Sequence, residues 1–378
     1  MNGLVWSVGT VLDSLQVPGK VAPRTLLIVR TDAIGDFVLF TPALRYIRQK
    51  YSSFEITLLV QDKVGDLARE CPYIDSLITF NAKKYRRNLF HKFLFLFRIH
   101  KGEYEVCLYP AYSRERIGDE IVLWTGAAER IGWNTSEPGM SIDEKERGDL
   151  AYNRLINGNY PKSTHELKRN RDFVAQLGCQ IDSFVPELWL SGKAHPNIQT
   201  LWDEEGLTTK QVVAIAMDAS ESFKTWGKYN YVQLMEKLAK TSKRIAFILT
   251  GGADRSPDPP ELIEALLAGG LIDMRGKTSL PELAELYTRC SLVVANDTGP
   301  LHVAIAVGTA TVCVLGGGQF GRFAPYGDAN RHKFVFKEMD CFGCGWDCVY
   351  ESNRCVEGIE VTRVLEATST FVISEPGT

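Results

Sequence analysis

No stretch of this sequence reaches the ~18 consecutive apolar residues that a membrane-spanning helix needs, so an integral membrane protein is not expected. Low-complexity tracts are absent too, which argues against a disordered or linker-dominated chain. There is no large excess of either charge: 43 Lys and Arg stand against 46 Asp and Glu, for a formal net charge of -3. That balance gives no global reason to expect nucleic-acid binding. Residues 1–22 lack a basic segment followed by an apolar core, so a secretory signal is not expected, and they read as a loosely held extension. Missing as well is the three-glycine fingerprint of dinucleotide-binding enzymes. The loop Thr31-Asp32-Ala33-Ile34-Gly35-Asp36, after the first apolar run, holds one glycine, which disfavours hydride chemistry on NAD. A cytoplasmic globular enzyme is the default expectation.

What is present is an α/β pattern. Apolar residues at 45% and charged residues at 24% are ordinary for a soluble protein, and 378 residues suffice for two separate cores. Short apolar runs at 26–29, 56–60, 77–80 and 106–109 alternate with stretches long enough for helices, the first from about Phe37 to Lys50. This is the pattern of parallel strands joined by crossover helices. Between Glu129 and Pro161 the pattern weakens into polar, Gly- and Asn-rich sequence, before an expected helix at Glu166–Leu177. A second series follows, with strands at 211–216, 244–249, 291–295 and 311–315 and a helix at Tyr231–Thr241. Ser279, Pro281 and Glu282 together mark another helix start. The resulting division is an extension at 1–22, a Rossmann-like domain at 23–185 and a linker region at 186–209. A second Rossmann-like domain at 210–358, with the Cys-rich segment 341–355, and a terminal helix and tail at 359–378 complete it.

Open parallel sheets bind ligands beyond the carboxyl ends of their strands, so the loops there should carry the chemistry. Asn296-Asp297-Thr298-Gly299-Pro300-Leu301-His302 joins a strand to a proline-initiated helix. Backbone N–H groups and the positive end of the helix dipole would meet there, a geometry suited to a diphosphate. Equally, Asp297 could only cap the helix while His302 packs. In the loop at 31–36, Asp36 opens a helix and could accept a proton from a hydroxyl, although from spacing alone a capping aspartate is the simpler reading. The third loop, 218–226, offers Ser220 and Lys224 to a departing phosphate, or simply a solvated lysine.

Taken together and in order, these segments resemble glycosyltransferase family 9, the bacterial ADP-heptose:lipopolysaccharide heptosyltransferases. The likeness runs from about Arg24 to Ala367 and is most specific at 27–36 with Thr41-Pro42-Ala43-Leu44, and at 297–302 running to Gly308-Thr309. Ala324-Pro325-Tyr326-Gly327 resembles the family's closing turn. The resemblance implies a GT-B fold of two facing Rossmann-like domains, and inversion at the anomeric carbon with no metal or other cofactor required for catalysis. It implies Asp36 as general base, Lys224 and Ser220 at the phosphates, and Asp297, Thr298, Gly299, Pro300, Leu301 and His302 in the donor loop. Asp254 falls where the family places an acidic residue near the nucleoside, commonly Glu. The implied partners are a nucleotide-diphosphate sugar, with heptose from ADP-heptose foremost, and a lipopolysaccharide core or related glycan. A nucleotide-sugar epimerase, or transfer to a protein or natural product, stands as the alternative.

Two features lie outside that frame. Cys341, Cys344, Cys348 and Cys355 form a compact cluster among nine cysteines, open to three readings: structural zinc or iron, reduced thiols, or disulfides. Lys83, Lys84, Arg86 and Arg87 lead into Leu89-Phe90 and Phe93-Leu94, with Phe97 beyond and no acidic residue nearby. The apolar stripe is expected to be core. The cations are expected to meet an acceptor or an anionic membrane surface, placing the enzyme at the inner face of a membrane.

Overall fold

The computed structural model describes residues 24–135, 137, 139–192, 194–253 and 256–372, and every statement of absence below refers to these. The chain falls into two compact units that divide between Phe184 and Val185.

In the first unit, β1 (Thr25–Arg30), β2 (Glu55–Gln61), β3 (Ser76–Phe80), β4 (Val106–Tyr109), β5 (Glu129–Thr135) and β6 (Arg154–Gly158) form one sheet. Their order is β3-β2-β1-β4-β5-β6, and every pairing is parallel. In the second unit, β7 (Gln211–Ala216), β8 (Ile245–Leu249), β9 (Leu271–Asp273), β10 (Leu292–Asn296), β11 (Thr311–Val314) and β12 (His332–Val335) run β12-β11-β10-β7-β8-β9, again all parallel. Counted from its own first strand, this second sheet has the same order as the first. Each unit is therefore a complete doubly wound sheet whose strand order reverses once, between β1 and β4 and between β7 and β10.

The unbroken apolar runs follow from that burial. Leu26, Leu27, Ile28 and Val29 are wholly inaccessible, as are Leu292, Val293, Val294 and Ala295, because helices cover both faces of a parallel sheet. The helix Leu280–Arg289 begins as its residues dictate: the Ser279 hydroxyl accepts from the Glu282 N–H, and the Glu282 carboxylate accepts from the Ser279 N–H at 2.7 Å. Such reciprocal capping contributes about 1 kcal/mol.

Two stretches differ from the sequence reading. The weak region 129–161 contains β5, β6 and a helix at Ile142–Asp149. Its strands are diluted by Gly132 and Gly158, whose missing side chains make room for the rings of Tyr152 and Trp133. β6 is an edge strand and only partly buried, which removes the apolar signature. The stretch 186–209 is no plain linker either. It holds a helix at Pro196–Glu204 that joins the second unit through His195 Nδ1, 2.6 Å from Glu285, and Arg289 donating to Gln199.

Candidate active site

The strand-order reversal of the second unit brings together the loops after β7 and β10. Asn296, the last residue of β10, is fully buried and ties the two loops together. Its Oδ1 accepts from the Trp226 N–H at 3.1 Å and the Tyr231 hydroxyl at 2.9 Å, and its Nδ2 donates to the Met217 carbonyl at 2.8 Å. Beyond it the chain turns through Asp297 into the helix Gly299–Ala306, with extended Thr298 as N-cap and Pro300 in the first turn. The Thr298 side chain makes no capping hydrogen bond, so the first-turn N–H groups and the positive dipole end are not occupied by a side-chain cap. Thr298, Gly299 and Pro300 are half-buried, Leu301 fully so. Asp297 is therefore not the cap. It is buried, with Oδ1 lacking a hydrogen-bond partner and lying 3.5 Å from His302 Nε2.

His302 is a packed histidine. Only 3% exposed, its ring stacks on Tyr326, whose hydroxyl lies 2.9 Å from Nδ1. The ring is thereby fixed between Tyr326 and Asp297. Tyr326 was read only as part of a closing turn. Its placement in this chain depends on tertiary packing across more than twenty residues.

In the loop after β7, Ser220 is exposed, and Lys224 ends a short turn at Ser222–Lys224. The Lys224 ammonium lies 5.8 Å from the Trp346 ring centre. Behind this loop sits a charged network that the sequence reading missed. Lys228 pairs with Asp218 at 3.2 Å and Asp258 at 2.7 Å, while Arg275 pairs with Asp258 at 2.7 Å and Asp273 at 2.8 Å. Burial alone would push the Asp258 carboxyl up, but hydrogen bonds from Arg275 and Lys228 outweigh it and hold the group at about 2. Asp254 lies outside the described residues.

The first unit has its own reversal between β1 and β4. Asp36 lies in the first turn of the helix Ile34–Lys50, half-buried, and the N-cap of that helix is Ala33, so Asp36 is not the cap. Arg30 holds the turn by pairing with Asp32 at 2.5 Å and donating to the Asp36 carbonyl at 3.2 Å. Burial raises the Asp32 carboxyl, with Arg30 opposing. Tyr109, at the end of β4, joins the two loops: its hydroxyl is 3.1 Å from the Thr31 hydroxyl and accepts from the Glu115 N–H at 3.2 Å. The Glu115 carboxyl is pushed up by burial and by the charge of Asp36, with Arg86 opposing at 3.8 Å. Tyr109 and Glu115 carried no motif, and only the strand order brings them to Asp36.

Lys83, Lys84, Arg86 and Arg87 are exposed on the short helix Ala82–Arg87. The stripe that follows is corrected by the structure. In the helix Leu89–His100, Phe95, Leu96 and Ile99 are core, but Leu89, Phe90, Phe93, Leu94 and Phe97 face solvent. Helical spacing cannot tell an inward apolar face from a second, outward one.

The cysteine segment lies against the loop after β11. Gly343 N–H donates to Gly317 O and Gly345 N–H to Gly318 O, both at 2.8 Å. The Trp346 and Phe342 rings occupy the space where side chains on Gly316, Gly317 and Gly318 would stand. All four cysteines are free thiols. Burial raises the Cys355 thiol, and the other three are near enough to raise it further. Among the described residues no three His, Cys, Asp or Glu side chains are placed to hold a metal ion.

Two doubly wound parallel sheets, one with a phosphate-ready helix start at its switch point and the other with a carboxylate there, define a GT-B fold. The family model described as glycosyltransferase family 9 (heptosyltransferase) matches residues 121–344, more than half the chain, and the protein belongs to that family. It is 24% identical to the lipopolysaccharide core heptosyltransferase OpsX of Haemophilus influenzae, over 84% of this chain and 86% of that one. Among solved structures it resembles a family 9 glycosyl transferase from Veillonella parvula, with a TM-score of 0.75 at 17% identity over 94% of this chain and 99% of that one. It also resembles the ADP-heptose lps heptosyltransferase II of E. coli, with a TM-score of 0.67 at 17% identity over 92% and 98%. No helix among the described residues is long and apolar enough to cross a membrane.

Proposed function

We propose that this protein transfers heptose from ADP-heptose to a sugar hydroxyl of a lipopolysaccharide core, with inversion at the anomeric carbon and without a catalytic metal. The observation that carries this reading is the uncapped start of the helix Gly299–Ala306, which Asn296 ties to the lysine-bearing loop. A diphosphate there would meet first-turn N–H groups, the Thr298 hydroxyl, Ser220 and the Lys224 ammonium. In the reaction, Asp36 takes the proton of the acceptor hydroxyl as its oxygen bonds to the anomeric carbon. The bond from that carbon to the phosphate oxygen breaks, and ADP departs with the electron pair. Aligned donors that meet this developing charge contribute about 3–4 kcal/mol each where measured. The donor sugar, base and acceptor follow from the names of the relatives, and the base role of Asp36 from the family motif.

Thermal-shift measurements with ADP, GDP, UDP and TDP test the donor, since a ligand bound to the native state alone raises its stability. ADP is expected to stabilise selectively; preference for UDP or TDP overturns the reading. Asp36→Asn should keep the ADP shift and lose transfer, and an isomerised nucleotide sugar formed without acceptor would mark an epimerase instead.

A further inference from the structure

The helix Leu89–His100 is apolar on two opposite sides. At about 100° per residue, Lys92, Phe95, Leu96 and Ile99 fall on one side and are buried. Leu89, Phe90, Phe93, Leu94 and Phe97 fall within an arc of about 140° on the other. They are 51, 72, 50, 47 and 44% exposed. Phe93 and Phe97 stack at 6.2 Å, so the rings present one continuous surface. A helix apolar all round is normally enclosed, so this outward face lacks its cover.

Charge says what the cover is. Lys83, Lys84, Arg86 and Arg87 before the helix, and Arg98 and Lys101 at its end, are exposed cations around the apolar face. No Asp or Glu occurs from Ala82 to Gly102. A second copy docked through the same face would set two such cationic rims against each other. An anionic bilayer satisfies both halves of the surface, the headgroup boundary taking the rings and the lipid phosphates the cations. A cavity of about 410 Å³ lies beside the same segment, lined by Tyr85, Arg86, Leu89 and Lys92 on one side and Glu115 and Arg116 on another. Glu115, which lines this cavity, also donates its N–H to the Tyr109 hydroxyl at the end of β4.

We propose that the segment Ala82–Lys101 docks the first unit on an anionic bilayer surface, with Phe90, Phe93, Leu94 and Phe97 entering the headgroup boundary. A lipid-borne acceptor is thereby held beside this cavity, on the unit that carries Asp36, a role that rests on the transfer reading above; the docking itself does not.

Flotation of the full chain with phosphatidylcholine vesicles, with and without phosphatidylglycerol, tests it. Binding is expected to the anionic vesicles, roughly tenfold weaker to neutral ones, and to weaken with salt. The triple variant Phe90→Ser/Phe93→Ser/Phe97→Ser should lose at least about tenfold in vesicle binding. It should keep full transfer to a water-soluble acceptor oligosaccharide while losing transfer to the same acceptor embedded in vesicles. Lys83→Glu/Lys84→Glu should also reduce flotation. Absence of wild-type flotation, or unchanged flotation of the triple variant, overturns the proposal. So does a dimer in light scattering that the triple variant splits, which would make the face a contact between copies. Flotation that behaves as described without transfer to any acceptor leaves docking intact and overturns the transfer reading instead.

Discussion

Replacing Asn296 should unfasten the donor side of the protein, and the size of the effect can be worked from its contacts. Its side chain satisfies three fully buried groups: the Trp226 N–H, the Tyr231 hydroxyl and the Met217 carbonyl. Asn296→Ala leaves all three unpaired in a site that is wholly inaccessible. Each orphaned group costs about 1–3 kcal/mol, and partial relaxation brings the sum to roughly 3–5 kcal/mol. That is a large share of the ~5–15 kcal/mol that holds a typical domain folded, and a loss of roughly 10 °C in Tm. Asn296→Asp separates the bonds. It keeps both acceptor contacts but sets a carboxylate against the Met217 carbonyl, so burial and that carbonyl raise its folded pKa above the unfolded value of about 3.9. The protonated form can donate to Met217, so this variant should be most stable below about pH 4 and lose stability as pH rises toward its folded pKa. Urea unfolding across pH reads both variants, and calorimetry with ADP reads the loop. An Asn296→Ala cost under about 1 kcal/mol with unchanged ADP affinity would refute the claim that this residue holds the two loops together.

Lys224→Ala should lower kcat/KM by about 10²–10³, mostly in kcat, because its charge is worth most as the diphosphate departs; steady-state kinetics beside ADP titration separates the two. Gly118→Ala places a methyl group inside the buried Tyr109 ring. It should cost about 1–3 kcal/mol and slow transfer while leaving ADP affinity unchanged, since Tyr109 joins the loops beside Asp36 and not those of the donor side. Asp258, held at about 2, contributes stability that is complete above its unfolded pKa and is lost as pH falls through the folded value. Acid titration between about pH 4 and pH 2 should therefore show a loss of about 2 kcal/mol that Asp258→Asn removes.

Most strands were legible because enclosed parallel strands are continuous apolar runs, and β1, β7 and β10 end within a residue of their apolar segments. The helix starts at Ser279 and Pro300 were legible because capping chemistry is local. β5, β6 and the helix Ile142–Asp149 were not, because edge exposure and glycines making room for rings erase periodicity. Candidate site residues divided along the same line. Asp36, Lys224 and 297–302 lie in the loops and first helical turns that directly follow recognisable strands. Tyr109 meets Glu115 in the first unit, and in the second Tyr326 meets His302 while Lys228 and Arg275 meet Asp258; each grouping arises from tertiary packing within its unit, over separations that spacing does not encode. The outward face of Leu89–Phe97 was misread because its period is that of any amphipathic helix.

The glycine run 316–318 has a bearing on the whole C-terminal half. Three side-chain-free positions let the backbone of the cysteine segment settle directly onto the end of β11, and they admit the Trp346 ring that Lys224 lies beside. The lysine's surroundings are thus set from two directions, by its own loop and by a neighbour that carries four thiols. A single methyl group added at Gly316 or Gly318 would strike the Trp346 ring and so reach the ammonium group through the indole, without altering a residue of the loop itself.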